Sequence, residues 1–423
     1  MFCLNFTFLF EKTVNCPITL VQYLLLLFFI FISTLFSNIL QDSIDSAPSG
    51  SILKLSSGLY LGKIVINKPI TIIGANNNTI IKGNNTGQVI SINSSNVILK
   101  NLTITNSGNR MENLDSAIVM NKVKNCEIDN CTILNSLYGI DMVMVENSII
   151  SNNYITSKEN DISLKGDALK IWYSNNNIIK NNTIDYSRDV TLTYSHNNKL
   201  LNNNFTNNRF GIHIHLSNNN LVQNNSFKYN SASIMVMESF DTKIINNQVK
   251  SSKGAAGIGI VLMGVSNLLL EENTISYNAK GIYIDSKTKE EGMQRFINNN
   301  EISYNMEALH FHQAIKNNTI TNNKVFSNIE DIVKDVKGTF SLENIVEYNY
   351  WDRYEGFDKN KDNIGDNSYK VFQYADQLWH YNHKVKFFYA SPVMSLMNFL
   401  TNIAPFIEPN MLFEDKKPLI NLK

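Results

Sequence analysis

The sequence predicts an all-β fold, a right-handed parallel β-helix of about ten or more coils, closed by a C-terminal cap that contains a short helix. Three observations predict it. Short apolar runs anchored at Ile140, Leu169, Val190, Ile212, Ile234, Ile260, Ile282 and Leu309 recur roughly every 22 residues. A second series, Asn153, Asn182, Asn203, Asn225, Asn247, Asn273, Asn300 and Asn323, keeps step with it. Within each unit apolar residues alternate at period two, and nothing long enough for a connecting helix intervenes, so each unit consists of strands and turns alone.

In this reading each anchor residue points inward. The asparagines occupy a fixed turn position and hydrogen-bond to their copies in the next coil, forming an amide ladder. The frequent Asn-Asn pairs thereby acquire a structural role, and the many Asn-x-Ser/Thr sequons need no glycan. The repeat begins near Ser51 and fades after Val325, with loops bulging out at "SKENDISLKG" near Ser157 and "SKTKEEGMQRF" near Ser286. A β-helix has open ends that invite edge pairing, so both require covers.

The domain organisation follows: a leader over residues 1–40, the β-helix over 41–338, and a cap and partner-docking tail over 339–423. In the leader, "CPITLVQYLLLLFFIFISTLFSN" is an apolar run ending in small polar residues. It reads as a secretory signal cleaved near Ser37, with an uncleaved anchor as the alternative, since the basic residues before it are few and the run approaches the length of a membrane span. Either way the remainder lies outside the cytoplasm. In the tail, "SPVMSLMNFLTNIAPF" reads as a helix from Pro392 to Ala404. Pro392 suits a first turn, and Val393, Met394, Leu396, Met397 and Leu400 form an apolar stripe. This helix is expected either to plug the last coil or to pack on a membrane partner.

Composition excludes several classes. Lys+Arg and Asp+Glu both number 37, so no basic field points to nucleic acid. Cys126 and Cys131, in "NCEIDNC", form neither a redox pair nor a disulfide framework, and Cys126 reads as a small buried hydrophobe. "GLYLGKI" has the wrong spacing for a phosphate loop, and no nucleophile elbow occurs.

Residues flanking each anchor point outward: Asp141/Val143, Lys170/Trp172, Thr191/Thr193, His213/His215, Met235/Met237, Val261/Met263, Tyr283/Asp285 and His310/His312. Coils stack about 4.8 Å apart and i,i+2 residues lie about 6.8 Å apart. His213, His215, Met235 and Met237 therefore form a compact square, with Met263 one coil further. Imidazole with thioether suits copper, especially Cu(I). The alternatives are a protein-docking patch and ordinary surface scatter. His310 and His312 repeat the spacing but lie roughly 19 Å away and cannot share an ion with the first pair.

A second motif, "GFDKNKDNIGDNSY", spaces Asp358, Asn360, Asp362 and Asp366 like the oxygen ligands of a calcium loop, with the Ile364 carbonyl as a further donor. Asn363 stands where such a loop wants glycine and Tyr369 where it wants glutamate, and the plain reading is an Asx-rich turn. A glycosidase needs two carboxyls at a defined separation. The outward columns are expected to hold no carboxylate cluster, Asp141 and Asp285 being too many coils apart.

"GDALKIWYS", "RDVTLTYS", "GIHIHLS", "GIYIDS", "NYWDRYEGFDKNKDNIGDNSYKVFQYADQLW" and "FFYASPVMSLMNFLTNIAPFIEP" occur in this order. Together they resemble the NosD family of periplasmic β-helix proteins, from about Ser51 to Pro418, the "NYWD…GFD…IGD…Y" block being the most specific part. The family pattern places Met-Tyr-Ser after the histidine of the strand at His213, where this chain has His215 and Leu216. The resemblance implies a non-enzymatic part in assembling the copper centres of nitrous-oxide reductase. The implied partners are an ABC-type permease and its separate ATPase, which would bring the protein to the membrane, and the reductase or a copper chaperone. The repeat alone equally suits a polysaccharide-binding or -cleaving β-helix protein of the pectin-lyase-like kind, or a passive adhesin.

Overall fold

The computed structural model describes residues 39–159, 161–254, 257–285, 292–312, 315–335, 344–373, 391–403 and 410–421. Among them the chain winds as a right-handed parallel β-helix with three long sheets, two of 13 strands and one of 12. The first sheet runs from Ile52–Leu55 to Asn344–Glu347, the second from Gly58–Leu61 to Tyr350–Trp351, and the third from Ile64–Ile66 to Glu330–Lys334. Every anchor residue from Ile140 to Leu309 is fully buried, in one continuous aliphatic core.

The Asn-Asn pairs divide the labour at one turn. The first member adopts the left-handed conformation, as Asn152, Asn181, Asn202, Asn224, Asn246, Asn299 and Asn322 do with φ between 52° and 58°. Asparagine tolerates that region better than other L-residues. The second member is buried and forms the ladder. Asn203 donates from backbone N and Nδ2 to Asn225 Oδ1, at 2.8 and 3.0 Å. Asn225 repeats this toward Asn247 and also donates to the Leu200 carbonyl. The series continues through Asn273, Asn300 and Asn323 to Asn349. At its N-terminal end Cys131 takes the rung position, its N–H donating to Asn153 Oδ1. Cys126 likewise donates its N–H to Ser148 Oγ. Both cysteines are free and buried, and burial pushes the Cys131 thiol up to about 12, so they are inert rungs.

Both ends are covered by non-repeating elements. A helix, Ile39–Ser46, buries Leu40 and Ile44 over the first coil. Gln41 presents its side-chain amide to the third sheet's first strand, accepting from Val65 N at 2.8 Å and donating to Val65 O at 3.0 Å. The predicted leader lies outside the described residues up to position 38, and its last two residues already belong to this helix. No helix among the described residues is long and apolar enough to cross a membrane.

At the other end the solenoid runs past the boundary placed at 338. Asn344–Glu347 and Tyr350–Trp351 pair in register with the preceding coil. An antiparallel pair, Tyr369–Gln373 with Asn410–Asp415, then closes the core with Leu412 and Phe413. Asp415 ends the ladder: its Oδ2 accepts from Asn349 Nδ2 at 2.8 Å and from Trp351 Nε1 at 3.0 Å. The predicted C-terminal helix is present at Pro392–Ile403, but it is not the plug. Val393, Leu396, Met397, Phe399 and Leu400 are exposed, with Met394 buried, because strand side chains already fill the last coil.

Asn225→Ala removes acceptors and donors from buried partners and is expected to destabilise by about 2–4 kcal/mol, the cost of orphaned buried groups. Asn224→Ala, which strains a left-handed residue and removes only an exposed hydrogen bond from Asn246 Nδ2, should cost about 1 kcal/mol. Denaturant midpoints compare the two, and equal values would remove the ladder's special weight.

The cap also carries a pH response. Asp331 is buried, accepts from the Tyr369 hydroxyl at 3.0 Å, and leaves Oδ1 without a partner. Burial pushes its carboxyl up to about 6. Because the folded pKa exceeds the unfolded one, the folded state holds the proton between about pH 4 and pH 6, and this contribution is lost as pH rises through that window. Asp331→Asn should therefore gain stability over the parent at about pH 7.5 but not at about pH 4, as read from melting curves.

Candidate functional site

The outer face of the third sheet brings the predicted histidines and methionines together. His213 pairs in register with Met235 and His215 with Met237, and one coil on Met237 pairs with Met263. Ile212, Ile214, Ile234 and Val236 between them are fully buried, so strand parity places the four polar-or-sulfur side chains outside, as expected. The imidazoles of His213 and His215 lie 6.0 Å apart and nearly parallel at 19°. Phe210 packs edge-on against His213 at 5.5 Å.

His213 is the more sheltered of the pair. Its Nε2 is buried without a hydrogen-bond partner, and burial lowers its pKa, against the pull of Asp189. A neutral ring keeps a lone pair available to a soft cation. Among the described residues no three His, Cys, Asp or Glu side chains converge to hold an ion, so a metal on this face would draw on thioether sulfur. The donor set fits Cu(I), which accepts two or three soft ligands.

Three residues assigned to the outer face are on it yet buried. Asp141 lies under the Lys170 ammonium, 3.2 Å away. Val261 is shut between its register neighbours Met235 and Tyr283. His310 is closed in by Glu307 Oε2, 2.5 Å from Nδ1, and Asp335 Oδ2, 3.2 Å from Nε2. His312 also meets Asp335, at 2.9 Å. This second His-x-His pair is therefore committed to carboxylates. Parity alone does not report what neighbouring coils lay over a position.

The expectation that this face lacks a carboxylate cluster is overturned. Asp167 and Asp189, from successive coils, line an open cleft of about 300 Å³ beside Lys170, Arg188, Arg209 and His213, with Asp141 buried behind it under Lys170. Arg209 forks onto Asp189, whose Oδ1 also accepts the Phe210 N–H at 3.0 Å. Asp167 accepts from Thr191 Oγ1 at 2.9 Å. Burial, then the neighbouring Asp189 charge, push the Asp167 carboxyl up to about 7.

A signal for Asp189 was present in the sequence. The residue before each anchor is Gly139, Ala168, Gly211, Ser233, Gly259, Gly281 or Ala308, and space there is short: a Cβ on Gly211 would meet the Ser233 carbonyl at 2.5 Å. Among these eight coils Asp189 alone carries charge at this position, where the strand shifts register by a bulge against Phe210–His215. Asp167 arrives on the inserted loop, which the repeat does not describe.

The acidic loop has a different character. Asp358 accepts from the backbone N–H of Asp362 and Asn363, Asp362 from Ile364, and Asp366 from Lys359. Its carboxylates close Asx turns within the loop, and Asn363 takes φ 70° where glycine was wanted.

Among solved structures, the A-module of mannuronan C-5 epimerase AlgE6 from Azotobacter vinelandii is similar with a TM-score of 0.55 and 14% identity, covering 72% of this chain and 92% of that one. The A-module of AlgE4 from the same organism gives 0.52 and 15%, covering 70% and 94%. These likenesses show the fold. No curated protein matches by sequence. Residues 159–356, the coils that carry both the His–Met patch and the charged cleft, match the family described as "Periplasmic copper-binding protein (NosD)". Across these coils the chain is similar to that family.

Proposed function

We propose that this protein is a periplasmic accessory factor for assembling the copper centres of nitrous-oxide reductase, without turnover of its own. The observation that carries the reading is the in-register square of His213, His215, Met235 and Met237, extended by Met263, inside coils that match a family described as periplasmic and copper-binding. Cu(I), as cargo, would be held by one imidazole and one or two thioethers. Because coils cannot slide past one another without breaking the asparagine ladder, the donors are pre-positioned, and the side chains that bind or release the ion need move only by rotamer. A half-buried, shallow donor set favours handover to a partner over storage.

The partners in this reading are the reductase or a copper chaperone on the patch, and an ABC-type permease with its separate ATPase. The exposed stripe of Val393, Leu396, Met397, Phe399 and Leu400 supports a docking role for the C-terminal helix toward the permease, since an exposed apolar face of this kind suits a partner surface.

A His213→Ala/His215→Ala variant should lose about tenfold or more in Cu(I) affinity in competition with a chromophoric chelator. Met235→Leu/Met237→Leu, which conserves volume, should lose affinity similarly with its melting curve unchanged. Unaltered affinity and unaltered capture of chaperone and reductase in both variants would reduce the patch to surface scatter. In the producing organism, reductase purified from a strain lacking this protein should be copper-deficient; fully loaded reductase from that strain would remove the functional reading.

A further inference from the structure

The charged cleft beside the His–Met patch shares only His213 with the proposed copper donors, and its groups are unevenly committed. Asp189 is saturated by Arg209 and the Phe210 N–H. Lys170 is shared between Asp141 and the face of Trp172, 5.6 Å from the ring centroid. Arg188, by contrast, lies 3.8 Å from Asp189 and keeps a buried Nε with no hydrogen-bond partner. His213 Nε2, lining the same cleft, is a second buried nitrogen without one. Orphaned buried polar atoms are costly and rare in folded proteins. Two of them facing one open cleft call for a ligand that brings both donors and acceptors.

The rim adds a second requirement. Trp172 is 37% exposed and Tyr173 45% exposed. They meet edge to face at 4.9 Å, and Tyr173 stacks on Tyr194 of the next coil at 4.8 Å and 15°. An aromatic ridge thus runs along the solenoid axis beside a floor of carboxylates, an ammonium and guanidinium groups. A phosphate or sulfate dianion is poorly matched by a floor holding Asp167 and Asp189. A hard cation is poorly matched by Lys170, Arg188 and Arg209. A pyranose ring satisfies both halves, with a C–H face to lie on an aromatic ring and hydroxyls that donate and accept at its edge. The free donor capacity sits on Arg188, whose fork suits a carboxylate. Asp167, up to about 7, adds less than a full negative charge to oppose it.

We propose that this cleft binds a sugar unit of a carboxylate-bearing polysaccharide, its ring on Trp172 and its carboxylate on Arg188, with the chain continuing along the Tyr173–Tyr194 ridge. The site is separate in ligand and in residues from the copper patch except for His213 on their common border. It would tether the protein to an acidic glycan while the neighbouring coils handle copper.

Calorimetric titration of the full chain with a hexuronate oligomer, and with a neutral hexaose of equal length, tests this. The hexuronate should bind, and the neutral chain should bind about tenfold more weakly or less. Arg188→Ala should bring the two to the same level, and Trp172→Ala should weaken both by about tenfold. Circular dichroism and Cu(I) affinity should stay at parental values in both variants, since neither residue belongs to the His–Met square. Absence of binding to the hexuronate, equal binding of the two oligomers by the parent chain, or an Arg188→Ala variant indistinguishable from the parent would each overturn the proposal. A loss of Cu(I) binding in the His213/His215 variant leaves this outcome independent, because it reads a different ligand.

Discussion

The buried asparagine ladder is the constraint on which the rest of the molecule depends. A side-chain amide buried without partners is expensive, whereas one that both donates and accepts within a continuous chain is strongly held. From Asn182 on, each ladder amide accepts two hydrogen bonds from the coil before and donates one to the coil after, as Asn225 does between Asn203 and Asn247. Any change of coil length between rungs would orphan several groups at once. Insertions are consequently expelled to loops, such as the one ending near Gly166, while the strands stay in register. Fixed register is what converts a pattern in the sequence into a geometry on the surface: His213 opposes Met235, and His215 opposes Met237, because Asn203, Asn225 and Asn247 hold their coils level.

The ladder also explains which features were legible in the sequence. The anchors and the second asparagine of each pair are repeated many times, and each repeat reports the same environment, so fold, parity and the His–Met square all follow from spacing. What does not repeat is not legible in that way. Asp415 closes the ladder from a strand far along the chain, and Gln41 satisfies the first edge from a helix that precedes the repeat. Neither is marked by period. The C-terminal helix was readable as a helix from its apolar stripe, but its place was not, since Leu412, Phe413 and Trp351 had already taken the end of the core. Asp141 and His310 show the complementary failure: parity gives the face, while burial depends on the long side chains of adjacent coils, Lys170 in one case and Glu307 with Asp335 in the other.

Asp189 marks the boundary between repeat and site. It occupies a position that in the other coils from Ile140 to Leu309 holds only Gly, Ala or Ser, and the strand bulges locally where this charged side chain stands. Rule-breaking residues in an otherwise consistent sequence are expected to cluster where function has been installed. Here one such residue organises Arg188, Arg209 and, through its charge, Asp167 and His213.

Two chemistries therefore meet along one sheet, and His213 stands between them. On its N-terminal side are hard, hydrogen-bonding groups whose charges largely compensate; on its C-terminal side are polarisable thioethers with no charge at all. The two fields act on the ring in opposite senses. Asp189 favours the imidazolium, while burial and the nearby Arg209 favour the neutral ring, and burial is the largest of these. The balance leaves His213 neutral, which a soft-metal ligand must be. Arg209, paired with Asp189 on the cleft side, adds a smaller push in the same direction as burial. The carboxylates of the cleft and the thioether patch thus meet at His213, and the order of the coils, set by the asparagines, places them side by side.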